Sequence, residues 1–185
     1  MGRTFAYFTF GAEIAQQDRD SVVNSNIRFL NAQMTKGSIM YKFYGWQTAT
    51  VKDSRGLTPC DYYDILSGIW CAETCAPRMR DGWTPENKTL GQCSITAFLI
   101  QDLFGGKVYG VPTTGGNFHC FNDVDGCVFD LTSEQFGDRV LDYSNCPEQD
   151  RSVHFAKEEK RQRYEYLREK LLAALEDKND IDAQK

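Results

Sequence analysis

The spacing of apolar residues changes along the chain, and each spacing predicts a particular element. Apolar residues at positions 62, 65, 66, 69 and 70 follow one face of a helix, and Asp61 is the expected N-cap. A second, more apolar helix is predicted from Cys93 to Phe104, because Gly105 and Gly106 follow it directly. The region 154–178 is predicted to be a long amphipathic helix, whose apolar stripe is Tyr164, Leu167, Leu171, Leu172 and Leu175.

Short runs of β-branched and aromatic residues predict strands around these helices. KVYGVP at 107–112 is one candidate strand, and 117–132 is a predicted hairpin that turns at Asp125-Gly126. The first 57 residues are expected to be a strand-rich N-terminal extension, with strands at 5–10 and 39–51 and a helix at 20–34. The main domain then spans 58–178, and 179–185 is a frayed tail.

Composition and charge argue against several classes of protein. Of the 185 residues, 41% are hydrophobic, and the formal net charge is −5. The chain can therefore build one globular core, and it lacks the basic excess that is typical of nucleic-acid binders. No apolar run reaches the ~18 residues that a membrane helix needs, and the N-terminus lacks the apolar stretch of a signal peptide. We expect a cytoplasmic protein with no nucleic-acid or membrane partner.

Seven cysteines are the most reactive residue type in the chain. In a reducing compartment they are expected to be free thiols, and an odd number cannot pair completely within one chain. Cys71 and Cys75, with Cys60 nearby, offer an alternative as a zinc site or a redox pair. Their spacing is not that of two paired Cys-x-x-Cys motifs, and we expect neither a metal nor a cofactor.

Cys93 has a position that suits a nucleophile. It begins a predicted helix after a glycine-containing loop, and a helix N-terminus favours the thiolate over the thiol. The unpaired amides of the first helical turn can also stabilise an oxyanion. This position alone is equally compatible with an inert buried cysteine.

The predicted hairpin brings a histidine and a carboxylate together. If Asp125 and Gly126 are the two turn residues, His119 lies opposite Thr132 and diagonal to Asp130. If the turn instead shifts back by one residue on each side, His119 faces Asp130 directly. Both registers place the two side chains on one face of the sheet, because strand side chains alternate with a period of two. The pair is either a catalytic base with its orienting carboxylate or a core histidine bonded to a buried aspartate.

The chain contains a set of short motifs around these residues. They are GQCSITA at 91–97, HCFN at 119–122, DLT with QF at 130–136 and RYEYL at 163–167, with Trp70, Glu73-Thr74, Pro77 and Trp83 upstream. Together they resemble the YunG-like family of small bacterial proteins, over roughly residues 61–175. Cys120-Phe121 stands where the family pattern has Tyr-Trp, a difference in the pocket wall rather than in the chemistry. The first 57 residues have no counterpart.

A wider resemblance connects the same residues to the transglutaminase-like core of the papain-like fold. It implies an α+β domain in which the nucleophile helix packs on an antiparallel sheet, followed by the C-terminal amphipathic helix. Cys93 would be the nucleophile, His119 the general base and acid, and Asp130 the orienting carboxylate. Papain-like enzymes also use an amide side chain shortly before the nucleophile to bind the oxyanion.

That last feature gives two oxyanion candidates, Gln92 and Asn87, and each is equally an ordinary loop residue that satisfies backbone groups. Trp83 and Trp70 are candidates for the walls of a substrate cleft, although large aromatic residues commonly just fill a core.

The function that follows is hydrolysis of an amide or peptide bond, or acyl transfer, on an unspecified substrate with an amide or acyl group. The alternative is a catalytically silent binding or interaction module of the same fold, because fold likeness does not fix function. The N-terminal extension, residues 1–57, is a candidate for homo-oligomer contacts.

Overall fold

The structure is a computed structural model and describes residues 40–183. Over this range the chain is an α+β domain, as predicted, with one three-stranded antiparallel sheet in the order β1-β2-β3. Short 3-10 turns connect some of the elements. The elements are α1 (Pro59–Ile69), α2 (Cys93–Phe104), β1 (Lys107–Pro112), β2 (Phe118–Val124), β3 (Cys127–Phe129), α3 (Arg151–Phe155) and α4 (Glu158–Ala183).

Helix α1 begins two residues before the predicted cap. Thr58 is the N-cap, and its hydroxyl accepts from the amide of Asp61 while the Asp61 carboxylate accepts from the amide of Thr58 at 2.8 Å. The prediction that Asp61 is the N-cap is therefore wrong. Asp61 is the third residue of the helix and closes a capping box, in which two otherwise unpaired amides are satisfied reciprocally.

The hairpin between β2 and β3 turns at the predicted dipeptide. Asp125 and Gly126 have φ of 52° and 82°, the left-handed conformation that a two-residue turn between twisted strands requires. Val124 pairs with Cys127, and Asn122 pairs with Phe129. The predicted register with Asp125 and Gly126 as the two turn residues is confirmed, so His119 and Asp130 lie on a diagonal of the same face.

Helix α2 lies at the centre of the domain. Its side chains Ile95, Phe98 and Ile100 are fully buried, and the helix contacts β1, β2 and α4. The prediction of a helix from Cys93 to Phe104 is confirmed to the residue. A helix that is apolar on most of its surface is stable only when other elements cover it, and this burial fixes where its first residue, Cys93, must lie.

The C-terminal helical region differs from the single helix predicted for 154–178. Asp150 caps the short helix α3, and α4 begins separately at Glu158 and continues to Ala183. The apolar stripe ends at Leu175, so the hydrophobic pattern gives no signal for the last turns even though the backbone remains helical. Within the stripe, Leu167 and Leu171 are buried, whereas Leu172 is exposed.

The segment before α1 contributes to the domain, but not as the predicted strand 39–51. It forms a single bridge between Tyr44 and Asp130, and the chain then turns at Gly45. A Cβ at Gly45 would lie 2.3 Å from the Val128 carbonyl oxygen, so the backbones meet too closely for another residue. Phe43 is buried in the core. The strand predicted at 5–10 and the helix predicted at 20–34 lie outside the described residues.

No helix in the described range 40–183 is both long enough and apolar enough to cross a membrane.

Candidate active site

The N-terminus of α2 places Cys93 at the edge of a cavity. The thiol is partly exposed, and all seven cysteines are free. The chain enters the helix through Gly91, whose φ is 68° and whose Cβ would lie 2.7 Å from the Cys75 sulfur. Within residues 40–183, no protein group accepts a hydrogen bond from the amides of Cys93 and Ser94. Both amides are free to bind a ligand oxygen.

His119 and Asp130 meet on one face of the sheet. Nε2 of His119 lies 2.5 Å from Oδ2 of Asp130. The two side chains are only 2% and 1% exposed, so water does not screen their interaction. Because Asp130 occupies Nε2, the second ring nitrogen, Nδ1, is the one left for another partner.

Three further donors hold the Asp130 carboxylate in place. The amide and the hydroxyl of Thr132 both donate to Oδ1 at 3.0 Å. The hydroxyl of Tyr143 donates to Oδ2 at 2.9 Å, and its ring stacks on Tyr44 with ring centroids 3.9 Å apart. A carboxylate with this many donors is fixed in orientation, and it fixes the imidazole in turn.

Cys93 and His119 both lie in the cavity wall, close enough for their charges to interact. Burial raises the pKa of the Cys93 thiol, but the charge and hydrogen bond of His119 and the hydrogen bond from the Cys120 amide outweigh burial, and the net shift is downward. Burial lowers the pKa of His119, yet the charges of Asp130 and Cys93 raise it to about 10. Both shifts favour a thiolate–imidazolium pair, the reactive form of a cysteine nucleophile.

Gln135 borders the imidazole from the side of the loop that follows β3. Its Nε2 lies 3.4 Å from Nδ1 of His119 and donates to the Thr132 carbonyl at 2.9 Å, while its Oε1 accepts from the Gly91 amide at 3.4 Å. The ring of Phe136 meets His119 edge-on, with centroids 4.7 Å apart. The imidazole is therefore enclosed on all sides except the side facing Cys93 and the cavity.

The cavity has a volume of about 830 Å³ and reaches the surface. Cys93 and His119 lie in its wall beside Ser94, Cys120, Gln135 and Phe136. This volume accommodates a small molecule or a few peptide residues. Cys93 is thus partly exposed to the cavity, whereas His119 and Asp130 are both buried and only His119 borders it.

The structure does not place the predicted oxyanion side chains in the cavity. Gln92 is fully buried, its Nε2 donates to the Cys71 carbonyl at 3.1 Å, and it does not line the cavity. Asn87 lies in a 3-10 turn and does not line it either. Cys93, Ser94 and Gln135 do line the cavity, and they offer the two unpaired backbone amides and one side-chain amide near the thiol.

The two candidate tryptophans also lie away from the cavity. Trp70 is buried in the core, where its indole donates to the Thr96 hydroxyl at 3.1 Å. Trp83 folds back over its own loop, and its indole donates to the Lys88 carbonyl at 3.1 Å. The cavity wall next to His119 is formed instead by Phe118 and Phe136.

Sequence patterns did not point to the structural role of Arg163. Its guanidinium is buried, donates to the carbonyls of Thr74 and Gly91 at 2.8 and 2.9 Å, and pairs with Glu159 at 3.3 Å. It thereby ties α4 to the loop that precedes Cys93. Its position in the RYEYL motif was the available signal, whereas no pattern in the sequence singled out Tyr143.

Within the described residues, no group of three or more His, Cys, Asp or Glu side chains is arranged to hold a metal ion.

Comparison with known proteins supports the family resemblance that the sequence motifs indicated. A family model described as YunG protein matches residues 58–176. The chain is also 36% identical over 87 residues to "Uncharacterized protein YunG" of Bacillus subtilis (strain 168), an alignment that covers 47% of this chain and 72% of the relative. No solved structure matches the chain significantly. The family match covers well over half of the chain and includes all three residues of the site, so the protein belongs to the YunG family.

Proposed function

We propose that the protein is a cysteine-dependent amide or peptide hydrolase, or an acyltransferase, in which Cys93, His119 and Asp130 act as a triad. The observation that carries the proposal is the connected arrangement of thiol, imidazole and carboxylate at the wall of an open cavity. The buried carboxylate stabilises the imidazolium, and the imidazolium stabilises the thiolate.

The residues support a two-step acyl transfer. The Cys93 thiolate attacks the substrate carbonyl carbon, and the amides at the start of α2 stabilise the oxyanion. His119 then gives its proton to the leaving amine, the carbon–nitrogen bond breaks, and a thioester forms. In the second step the neutral imidazole takes a proton from water or an acceptor amine, which attacks the thioester. The carbon–sulfur bond breaks, and the thiolate–imidazolium pair is restored.

The order of the elements supports the same proposal. Cys93 begins a helix that packs on an antiparallel sheet, His119 lies on the central strand, and Asp130 directly follows the neighbouring strand. This order is similar to that of transglutaminase-like and papain-like enzymes. Free thiols throughout the chain are in keeping with a reducing compartment such as the cytoplasm.

The direct test uses p-nitrophenyl acetate as the acyl donor. We expect release of p-nitrophenolate together with a single acetyl group on Cys93, detected by mass spectrometry of the intact protein and of its peptides. The Cys93→Ser variant should lose the adduct, and His119→Ala should form it far more slowly, because the base that maintains the thiolate is gone.

Cys127→Ser serves as the matched control, since Cys127 is a partly exposed thiol that does not line the cavity. This variant should acylate Cys93 at the unmodified rate. Acetylation spread evenly over several cysteines, at a rate that His119→Ala leaves unchanged, would contradict the proposal and favour a catalytically silent module.

A further inference from the structure

The acidic residues that line the cavity all have partners, whereas most of the basic residues there form no ion pair. Each of its three carboxylates already has partners: Glu148 pairs with Lys107 at 2.8 Å, Glu159 pairs with Arg163 at 3.3 Å, and Asp150 accepts from the Ser152 amide at 2.7 Å. Four cations in the same wall form no ion pair with a carboxylate within 4 Å among the side chains described for residues 40–177. They are Arg78, Arg139, Lys157 and Lys160.

Lys160 differs from the other three because it is partly buried, whereas they are exposed. Its ammonium has one hydrogen-bond partner, Nδ1 of His154 at 3.2 Å. Burial, followed by the charges of Lys160 and other nearby cations, lowers the pKa of His154 to about 3. The imidazole is therefore neutral near pH 7 and gives Lys160 no counter-charge. The negative charges that act on Lys160 are those of Glu159, which already pairs with Arg163, and of the cysteines Cys93 and Cys120. Removing an ammonium from bulk water without a direct ion-pair partner costs free energy.

Lys160 also lies close to the reactive cysteine. Its charge interacts with both Cys93 and Cys120, and all three residues line the same cavity. An anion bound at Lys160 would thus occupy the cavity together with an acyl group at Cys93. The surrounding cations Lys157 and Arg78 attract such an anion into a cavity of a protein whose net charge is −5.

We propose that the substrate carries a carboxylate, and that Lys160 binds this carboxylate while the scissile carbonyl is held at Cys93. The proposal rests on the acyl-transfer function proposed above and names its substrate class. Lys160 is then a specificity residue: it selects acidic amides or esters over neutral ones of the same size. A carboxylate suits the site because it places one negative charge beside one partly buried ammonium. A phosphate carries more charge and needs more hydrogen-bond donors. The amides at the start of α2 cannot supply them, because they bind the substrate carbonyl.

The test compares two alkylating reagents of nearly the same size, iodoacetate and iodoacetamide, of which only the first carries a carboxylate. The rate at Cys93 is measured by peptide mass spectrometry for both reagents, and their ratio is taken. Because both reagents require the thiolate, any change in the thiolate population cancels in the ratio. We expect Lys160→Gln to lower the iodoacetate-to-iodoacetamide ratio about fivefold, the size of one partly exposed ion pair.

Two further variants make the result specific. Lys160→Arg keeps the charge and should keep most of the ratio. Lys170→Gln removes a lysine from the same helix outside the cavity, and it should leave the ratio unchanged. An unchanged ratio in Lys160→Gln, or an equal fall in Lys170→Gln, would overturn the proposal.

The same measurement separates this proposal from the proposed function. If iodoacetamide reacts with Cys93 no faster than with the other thiols and His119→Ala has no effect, the triad fails, and the ratio still reports whether Lys160 attracts a carboxylate. Protection of Cys93 from iodoacetamide by acetate, compared with inorganic phosphate at equal ionic strength, identifies the anion. Protection by phosphate alone, lost in Lys160→Gln, would overturn the carboxylate assignment.

Discussion

Several hydrogen bonds, from residues near and far in the sequence, hold Asp130 in place. Its amide donates to the Tyr44 carbonyl at 3.0 Å, and its carboxylate receives both donors of Thr132 and the hydroxyl of Tyr143. These donors fix the orientation of the carboxylate. Its charge therefore acts on the His119 imidazole from a fixed position.

Replacement of Asp130 by Asn tests this charge. In the unmodified protein the pKa of Cys93 is lowered, so the thiolate persists as the pH falls below the usual thiol value and is lost only at more acidic pH. Without the carboxylate the imidazolium is less stable. Asp130 acts on the thiol in two opposing ways: its charge directly raises the pKa of Cys93, and it stabilises the His119 imidazolium that lowers that pKa. Because Asp130 contacts His119 directly, we expect the second effect to prevail and the acid limb of the iodoacetamide rate at Cys93 to move upward by about one pH unit in Asp130→Asn.

The matched control is Asp142→Asn, which removes an exposed carboxylate whose partner is Ser144. Its pH–rate profile should coincide with that of the unmodified protein. Coincident profiles for Asp130→Asn and the unmodified protein would show that Asp130 does not support the ion pair.

At the scale of elements, the start of α2 is held by α4 through a single side chain. Arg163 spans from α4 to two backbone carbonyls, of Thr74 and Gly91, on the loop that leads to Cys93. The planar guanidinium can serve both carbonyls at once, and an ammonium cannot. The position of the nucleophile therefore depends on an element that lies about seventy residues later in the chain.

We expect Arg163→Lys to lower the free energy of unfolding by about 1–3 kcal/mol, the cost of leaving a buried carbonyl without a donor. It should also slow alkylation of Cys93, because the preceding loop loses its anchor. Urea denaturation and iodoacetamide labelling measure the two effects. Arg161→Lys, an exposed pair on the same helix, should change stability by less than about 1 kcal/mol.

The elements that the sequence predicted correctly are those with complete local signals. The helix Cys93–Phe104 has an apolar run with a glycine stop, and the hairpin has an Asp-Gly turn with positive φ at both residues. The segment 39–51 has the composition of a strand but forms only the Tyr44 bridge, because its partners are set by distant residues. Strand propensity describes a pleated, half-buried environment and not an intrinsic preference of the backbone.

At the scale of the whole molecule, the two histidines respond to pH in different ways. His119 is stabilised as a cation by Asp130 and Cys93, whereas His154 is buried beside cations and aromatic rings and stays neutral. Its neighbours with positive charge are Lys157, Lys160, Arg151 and Arg163. Protonation of His154 in the folded state is opposed from several elements at once.

This difference predicts an acid-dependent loss of stability from His154. Its folded pKa of about 3 lies below the unfolded value of about 6.5. As the pH falls below 6.5, His154 binds a proton in the unfolded chain but not in the folded chain. The free energy of unfolding therefore declines as the pH falls toward the folded pKa.

We expect the decline between neutral and mildly acidic pH to be shallower in His154→Gln, because glutamine does not titrate. The measurement is urea denaturation at a series of pH values. The two proteins are compared by the slope of the free energy of unfolding against pH, which a constant loss of stability in the variant does not change. Parallel curves for the two proteins would show that His154 is not held neutral.

The sequence by itself determined the helix that starts at Cys93, the hairpin turn and, in either of the two predicted registers, the shared face of His119 and Asp130. These features depend on neighbours within a few residues or on the parity of strand side chains, and both are present in the linear pattern. The tertiary structure decided which residues border the reactive thiol. Four residues predicted for the site do not line the cavity, namely Trp70, Trp83, Asn87 and Gln92. Lys160 does line it, and Arg163 binds the loop before Cys93. Such contacts arise from packing between elements far apart in the chain, and no local spacing encodes them.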